Sequence, residues 1–324
     1  MCTSVFFNVK SGYFGRNLDL EMSYDENVVI TPRNFPFSFR KCGEMKSHYA
    51  MIGMAYVADG YPLYYDATNE KGLSMAGLNF PGNADYKEFA ENFDNISPFE
   101  FLPWILGQCA DLGDVRKLLS RINLINIPFS SELPLSPLHW MIADQNEAIV
   151  VESVKEGLMV YENPTGVMTN NPPFDKQIFH LNNYMQLTAG TPENRFAEGL
   201  NLDSYSRGMG AMGLPGDLSS MSRFVKAAFT CLNSVCGDSE KECVSQFFHI
   251  LGSVEQQRGC VRLPGNKYEI TIYSSCCNME EGIYYYKTYE NSQITAIRMR
   301  NADLDGCELV RFPLVKEQQI RYEN

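Results

Sequence analysis

Turns too short for a crossover constrain this chain more than any other feature. Residues 2–9 (CTSVFFNV) are rich in β-branched and aromatic types, Ser11-Gly12 follows as a turn, and residues 13–17 resume extended chain. That pattern predicts a hairpin. Residues 28–30, 51–54 and 73–78 read as further strands, the last behind the turn residues Asn69-Glu70-Lys71-Gly72. Strand-like runs return at 138–143, 148–154 and 158–161, with 144–147 closing the first two as a hairpin, and again at 268–274, 282–288 and 293–299. A parallel pair needs a dozen or more connecting residues, so most of these neighbours must pair antiparallel.

Helical periodicity fills the gaps. Residues 98–109 and 114–122 carry apolar residues at helical spacing. In the second run Val115, Leu118, Leu119 and Ile122 form the stripe, with Asp114 as its N-cap. Residues 219–235 and 239–251 predict two more helices, with Phe224, Ala228 and Leu232 recurring at i, i+4, i+8 in the first. The order strands, helices, strands, helices, strands predicts an α+β architecture in which two antiparallel sheets stack between helix layers. No repeat, low-complexity tract or linker interrupts the 324 residues, so one domain, 1–324, is expected. Residues 186–216, irregular and dotted with glycines from Gly190 to Gly216, read as a long surface excursion.

The net charge of −12, with no basic run, argues against a nucleic-acid partner, whose binders cluster Lys and Arg against phosphates. No apolar stretch reaches the roughly 18 residues of a membrane span, and no basic segment followed by an apolar one opens the chain. The expectation is a cytoplasmic protein without a membrane partner. Of the ten cysteines, all but Cys2 read as reduced and mostly buried: no C-x-x-C occurs, and Cys276-Cys277 are adjacent. His48, His139, His180 and His249 show no metal-ligand spacing, and His139 reads as a packed structural imidazole. No metal and no organic cofactor is expected.

Cys2 directly follows Met1. Cysteine is small enough for an aminopeptidase to remove the methionine, leaving a residue with both a thiol and a free α-amine. The amine titrates at roughly 7.7–8.0 and the thiol near roughly 8.5, so one residue can supply nucleophile and base together. Arg16 and Asp19 lie one hairpin away, either as an ordinary surface pair or as a cation favouring thiolate and an acceptor for the amine. Asn79, in Gly77-Leu78-Asn79-Phe80-Pro81, and Asn170-Asn171 are turn formers or amide donors to an oxyanion. Arg223 lies in the first turns of a helix, where a cation gains nothing from the macrodipole; it is either solvated or serves an anion or buried carboxylate. Neither G-x-S-x-G nor a papain-like C-G-x-C-W occurs.

These segments together resemble the choloylglycine hydrolase family, the bile salt hydrolases and penicillin V acylases of the N-terminal nucleophile superfamily. The likeness runs nearly end to end. It is carried by Met1-Cys2-Thr3, Phe14-Gly15-Arg16-Asn17-Leu18-Asp19, Thr31-Pro32-Arg33-Asn34, Asn69-Glu70-Lys71-Gly72-Leu73, Gly77-Leu78-Asn79-Phe80-Pro81, Leu138-His139-Trp140, Thr169-Asn170, Gly213-Leu214-Pro215-Gly216-Asp217 with Ser222-Arg223-Phe224, and Tyr284-Tyr285-Tyr286 with Thr288-Tyr289.

The resemblance implies a four-layer αββα sandwich, with Cys2 as nucleophile surrounded by Arg16, Asp19, Asn79, Asn170 and Arg223. Asn79 favours the bile-salt branch, since penicillin V acylases commonly carry Tyr there. The implied reaction is hydrolysis of the amide joining a bile acyl group to glycine or taurine, with a lean to glycine, through a Cys2 thioester. A steroid needs a wide apolar cleft, for which Leu18, Val57, Ile127, Phe129, Leu133 and Leu135 are candidates, and residues 186–195 are placed over the amino-acid end. A gut bacterial source and a homotetramer also follow from the resemblance alone. The competing expectations are a penicillin V or other N-acyl amide acylase, and a silent relative that binds steroid without turnover.

Overall fold

A computed structural model covers residues 1–324. In chain order its main elements are β1 (Cys2–Asn8), β2 (Gly12–Leu20), β3 (Asn27–Thr31), β4 (Met51–Ala58), β5 (Tyr61–Asn69), β6 (Ser74–Asn79), α1 (Pro98–Gln108), α2 (Leu112–Leu119), β7 (Leu138–Ala143), β8 (Ala148–Val154), β9 (Gly157–Glu162), β10 (Val167–Met168), α3 (Phe174–His180), α4 (Ser220–Asn233), α5 (Glu240–Gly252), β11 (Ile270–Asn278), β12 (Ile283–Thr288), β13 (Thr295–Arg298) and β14 (Val310–Pro313). They form a six-stranded sheet, order β10-β1-β2-β11-β12-β13, and an eight-stranded sheet, order β9-β8-β7-β6-β5-β4-β3-β14. Every pairing within both is antiparallel.

The two sheets stack face to face. Helices α4 and α5 cover the outer side of the six-stranded sheet and α1 that of the eight-stranded one, which gives the αββα sandwich. One apolar core, from Val5 and Phe14 to Phe247 and Tyr284, fills the space between the sheets and under α4 and α5. A second lies beneath α1 and α2, around Phe101, Ile105, Leu112 and Trp140. The six-stranded sheet is buried on both faces, with eight of nine residues in β2 and all nine in β11 buried, which demands a covering layer on either side.

The β1–β2 hairpin closes as the turn at Ser11-Gly12 predicts, pairing Cys2 with Leu18 and Ser4 with Arg16. β2 then pairs with β11, some 250 residues on, in a register no local pattern announces. Gly15 permits that pairing: a Cβ there would stand 2.0 Å from the Ser275 carbonyl oxygen.

Two helices differ from expectation and one strand was not foreseen; in α4, Leu232 is exposed and Cys231 takes its place in the buried stripe. Helix α2 starts earlier: Asp111 is its N-cap, accepting from the Asp114 amide at 2.9 Å, so Asp114 sits in the first turn. Its buried stripe is Leu112, Val115 and Leu119, while Leu118 is half-buried and Ile122 opens a short strand, Ile122–Leu124. Starting at Leu112 lets the helix bury that residue. Strand β5, which the sequence pattern did not predict, had a signal in Asp59-Gly60. Both residues adopt positive φ (50° and 76°) in the tight turn between β4 and β5.

Candidate active site

Alternation along the hairpin sorts its side chains onto two faces. Cys2 and Ser4 of β1 share a face with Leu18 and Arg16 of β2; Thr3 shares the other with Asn17 and Asp19. The Cys2 face is turned into the gap between the sheets, because Arg16 Nη1 reaches across to the carbonyls of Tyr65 (3.0 Å) and Gly77 (2.6 Å) on the eight-stranded sheet. The Thr3 face is turned toward α4, because Arg223 donates to Thr3 Oγ1 (2.6 Å) from that helix. Cys2 is 2% exposed, and Arg16, Asp19 and Arg223 are equally buried.

Five of the six residues expected to carry chemistry form one connected arrangement with Cys2 at its centre. Cys2 N donates to Asn170 Oδ1 at 2.7 Å. Arg223 grips the same loop and strand: Nη2 donates to Asn170 Oδ1 (2.8 Å), Nη1 to the Cys2 carbonyl (2.6 Å) and Nε to the Leu218 carbonyl (3.1 Å). Asn170 Nδ2 donates to the Asn79 carbonyl at 2.8 Å, which ties the end of β6 to the Cys2 end of β1. Asp19 lies 3.9 Å from Arg223 and accepts from Thr271 Oγ1 at 2.6 Å. Asp19 Oδ2 is buried and has no hydrogen-bond partner in the chain. Arg16 stands on the opposite face of the same hairpin.

Met1 is in place. Its amine bonds to the Asp19 carbonyl at 2.8 Å and pairs with Glu269, so Cys2 N is here an amide. Removing Met1 would turn that nitrogen into an α-amine already held by Asn170.

Burial and charge pull these groups in different directions. Burial pushes the Asp19 carboxyl up to about 6, opposed by Arg223 and the Thr271 hydroxyl. Burial also works against Arg16, but the negative groups around it, Cys2 first, then Tyr273, Asp66 and Asp19, together hold it above the ordinary arginine value. Arg223 is pulled below that value by burial, only partly offset by Asp19, Cys2 and Glu269. A thiolate at Cys2 therefore has a permanent cation on each side of the strand.

The apolar candidates gather at one end of the sandwich. The register places Leu18 opposite Cys2, Leu138 opposite Asn79, and Val57 opposite Pro62 at the β4–β5 turn. Leu138 ends the segment that carries Ile127, Phe129, Leu133 and Leu135, all four half-buried. Phe129 packs on Tyr61 (5.9 Å between ring centroids) and Phe99 (5.3 Å), and Arg40 lies over its ring and donates to its carbonyl. Residues 186–195 are mostly exposed. A cavity of about 460 Å³ opens at the opposite end of β1, between Phe6, Asn8, Asn146 and Glu162, and none of the candidates lines it.

His139 is the packed structural imidazole expected, and several other residues that build the site were not foreseen. His139 is fully buried and stacked on Phe80 (4.3 Å). It bonds Glu152 (3.0 Å) and the Thr169 carbonyl (2.8 Å), which fixes the segment preceding Asn170. Thr271 and Gln256 complete the surroundings of Asp19, with Gln256 N donating to Thr271 Oγ1 at 2.8 Å. Asp66 lies between the sheets beneath Arg16 and accepts three hydroxyls. A carboxylate in the otherwise uncharged run Tyr64-Tyr65-Asp66-Ala67-Thr68 was the available signal.

Comparison with known proteins converges on one group. Residues 2–312 match the linear amide C–N hydrolases of the choloylglycine hydrolase family. A bile salt hydrolase/transferase of Lactiplantibacillus plantarum is 58% identical over 319 residues, covering 98% of each chain. The crystal structure of a C2A mutant conjugated bile acid hydrolase from Clostridium perfringens superposes with a TM-score of 0.92 at 38% identity, covering 100% of both chains. A penicillin V acylase from Agrobacterium tumefaciens shares the fold, with a TM-score of 0.77 at 17% identity over 96% of this chain and 90% of its own.

Proposed function

The chain belongs to the choloylglycine hydrolase family of linear amide C–N hydrolases, and we propose that within it the chain is a bile salt hydrolase with Cys2 as nucleophile and, once Met1 is removed, as base. The observation that carries the catalytic assignment is the 2.7 Å bond from Cys2 N to Asn170 Oδ1. The atom that processing turns into the α-amine is already oriented beside the thiol of its own residue.

The α-amine takes the thiol proton, directly or through one water. The thiolate attacks the amide carbon that joins the bile acyl group to glycine or taurine. Asn79, whose side-chain amide is free, donates to the oxyanion, and one such donor supplies on the order of 3 kcal/mol. The α-ammonium returns its proton to the departing nitrogen, the C–N bond breaks, and the acyl group remains on Cys2 as a thioester. Water, activated by the amine, hydrolyses that thioester and restores the thiol. Arg16 holds the thiolate form, and Asp19, Asn170 and Arg223 orient the amine. Asn79, in place of an aromatic residue, favours the bile-salt branch. Leu18, Val57, Ile127, Phe129, Leu133 and Leu135 take the steroid, and the glycine conjugate is the preferred substrate. The protein works as one domain in the cytoplasm and assembles as a homotetramer.

The test is turnover of glycocholate, taurocholate and penicillin V by the purified protein beside Cys2→Ser and Cys2→Ala. Release of glycine or taurine that both variants abolish is expected, glycine faster. Penicillin V turnover alone moves the protein to the acylase branch, and saturable bile-salt binding without turnover makes it a binding relative.

A further inference from the structure

Arg16 is completely buried, and its side-chain hydrogen bonds go to neutral carbonyls: Tyr65 and Gly77 across the gap, and Asn17 on its own strand. None of these neutralises a buried guanidinium, and a charge in such a place needs an opposite one nearby. Asp66 supplies it. It is 2% exposed and projects from β5 into the same gap. The opposing sheet is built to keep it ionised: Tyr273 donates to Oδ1 (2.7 Å), and Tyr284 (2.7 Å) and Ser275 (3.2 Å) donate to Oδ2. Ser275 Oγ also accepts from the Arg16 amide at 3.1 Å, so one hydroxyl joins the arginine's own backbone to the carboxylate.

We propose that Asp66 is a positioning residue for the hydrolysis: it shares the charge of Arg16 with Cys2, and so sets how strongly that arginine favours the thiolate. The inference rests on the reading above that Arg16 acts on Cys2. Arg16 faces two anionic positions in the gap. One is the Asp66 carboxylate, held by three hydroxyls; the other appears only when Cys2 ionises. Without Asp66 the whole of the cation is compensated by the thiolate, and a like charge that opposes thiolate formation is gone. Both changes favour the thiolate. With Asp66 in place the thiol keeps a higher proton affinity, and its thiolate is correspondingly more nucleophilic.

The groups around this pair are few. Arg16 and Tyr273 face the gap beside Cys2 and Asp66; Tyr284 and Cys277 face Asp66 from β12 and β11. Arg223 faces Cys2 from the outer side of the hairpin, with Asp19 and Glu269 beside it, and all three residues are unchanged in the variants below. Burial pushes the Asp66 carboxyl up, and Arg16 and the three hydroxyls oppose that rise, so losing a hydroxyl moves Asp66 toward its neutral form.

The experiment measures the rate of Cys2 alkylation by iodoacetamide against pH in the Met1-processed enzyme, followed on the N-terminal peptide by mass spectrometry, together with the acid limb of kcat/KM for glycocholate. Circular dichroism checks the fold of each variant. In Asp66→Asn both profiles are expected to move to lower pH by about one unit, with KM changed less than about twofold because Asp66 does not touch substrate. Tyr284→Phe moves them the same way by less, and carries the test alone if Asp66→Asn does not fold. Arg16→Gln moves the alkylation profile up. A folded Asp66→Asn with an unmoved profile, beside an Arg16→Gln that does move, overturns the role of Asp66. An unmoved Arg16→Gln overturns the underlying reading of Arg16 instead.

Discussion

The two faces of the β1–β2 hairpin hold one buried arginine each, and they use it differently. On the outer face Arg223 donates to four oxygens, those of Cys2, Thr3, Asn170 and Leu218, and lies 3.9 Å from Asp19. Burial lowers its proton affinity there. On the inner face Arg16 bonds only carbonyls, and the anionic groups that face it raise its affinity. Hydrogen-bond saturation marks a group that holds a shape, whereas a buried cation facing an ionisable thiol acts on chemistry. On the proposed reading, the N-terminal strand carries its scaffold on one side and its electrostatics on the other, one residue apart.

That contrast can be broken or sharpened experimentally. The largest effect falls on the outer face. Arg223→Gln strips acceptors of their donor and leaves Asp19 without its cation, and should destabilise the fold by about 3–5 kcal/mol, read from urea unfolding. A loss below about 1 kcal/mol would contradict the scaffold role. Next is Asn79→Ala. Its side chain supports nothing in the resting structure, so kcat should fall by about 10²–10³-fold with an unchanged unfolding midpoint. Loss of stability without loss of kcat would reverse the assignment.

The smallest effect concerns Asp19, whose proton affinity is raised to about 6. A carboxyl raised above its unfolded value of about 4 stabilises the fold while protonated. That contribution is complete below the unfolded value and is lost as pH rises through the folded one. Asp19→Asn should therefore become progressively more stable than the parent between about pH 4 and 6, by at most about 3 kcal/mol, while losing activity. Thermal melts across that range check it, and a difference independent of pH would show that Asp19 is not the group strained by burial.

The layered architecture was legible because short turns force antiparallel neighbours and each helix run lies between strand blocks. Cys2 was legible from its place behind Met1, and Arg223 from a cation at the wrong end of a helix. The pairing of β2 with β11 was not, since a sheet's register across 250 residues depends on which faces bury together. Asp66, Thr271 and the His139–Glu152 pair stayed hidden for the same reason: each acquires its meaning only from a strand distant in sequence. Asp111 was not read as the cap of α2 because the apolar stripe alone does not fix the first turn.

The central claim is that Cys2 acts with its own α-amine. Intact-protein and N-terminal-peptide mass spectrometry of enzyme quenched with acid during glycocholate turnover tests it most directly. The expected result is protein lacking Met1, with a fraction carrying the cholyl group on the N-terminal cysteine peptide. Full activity in protein that retains Met1 would contradict it.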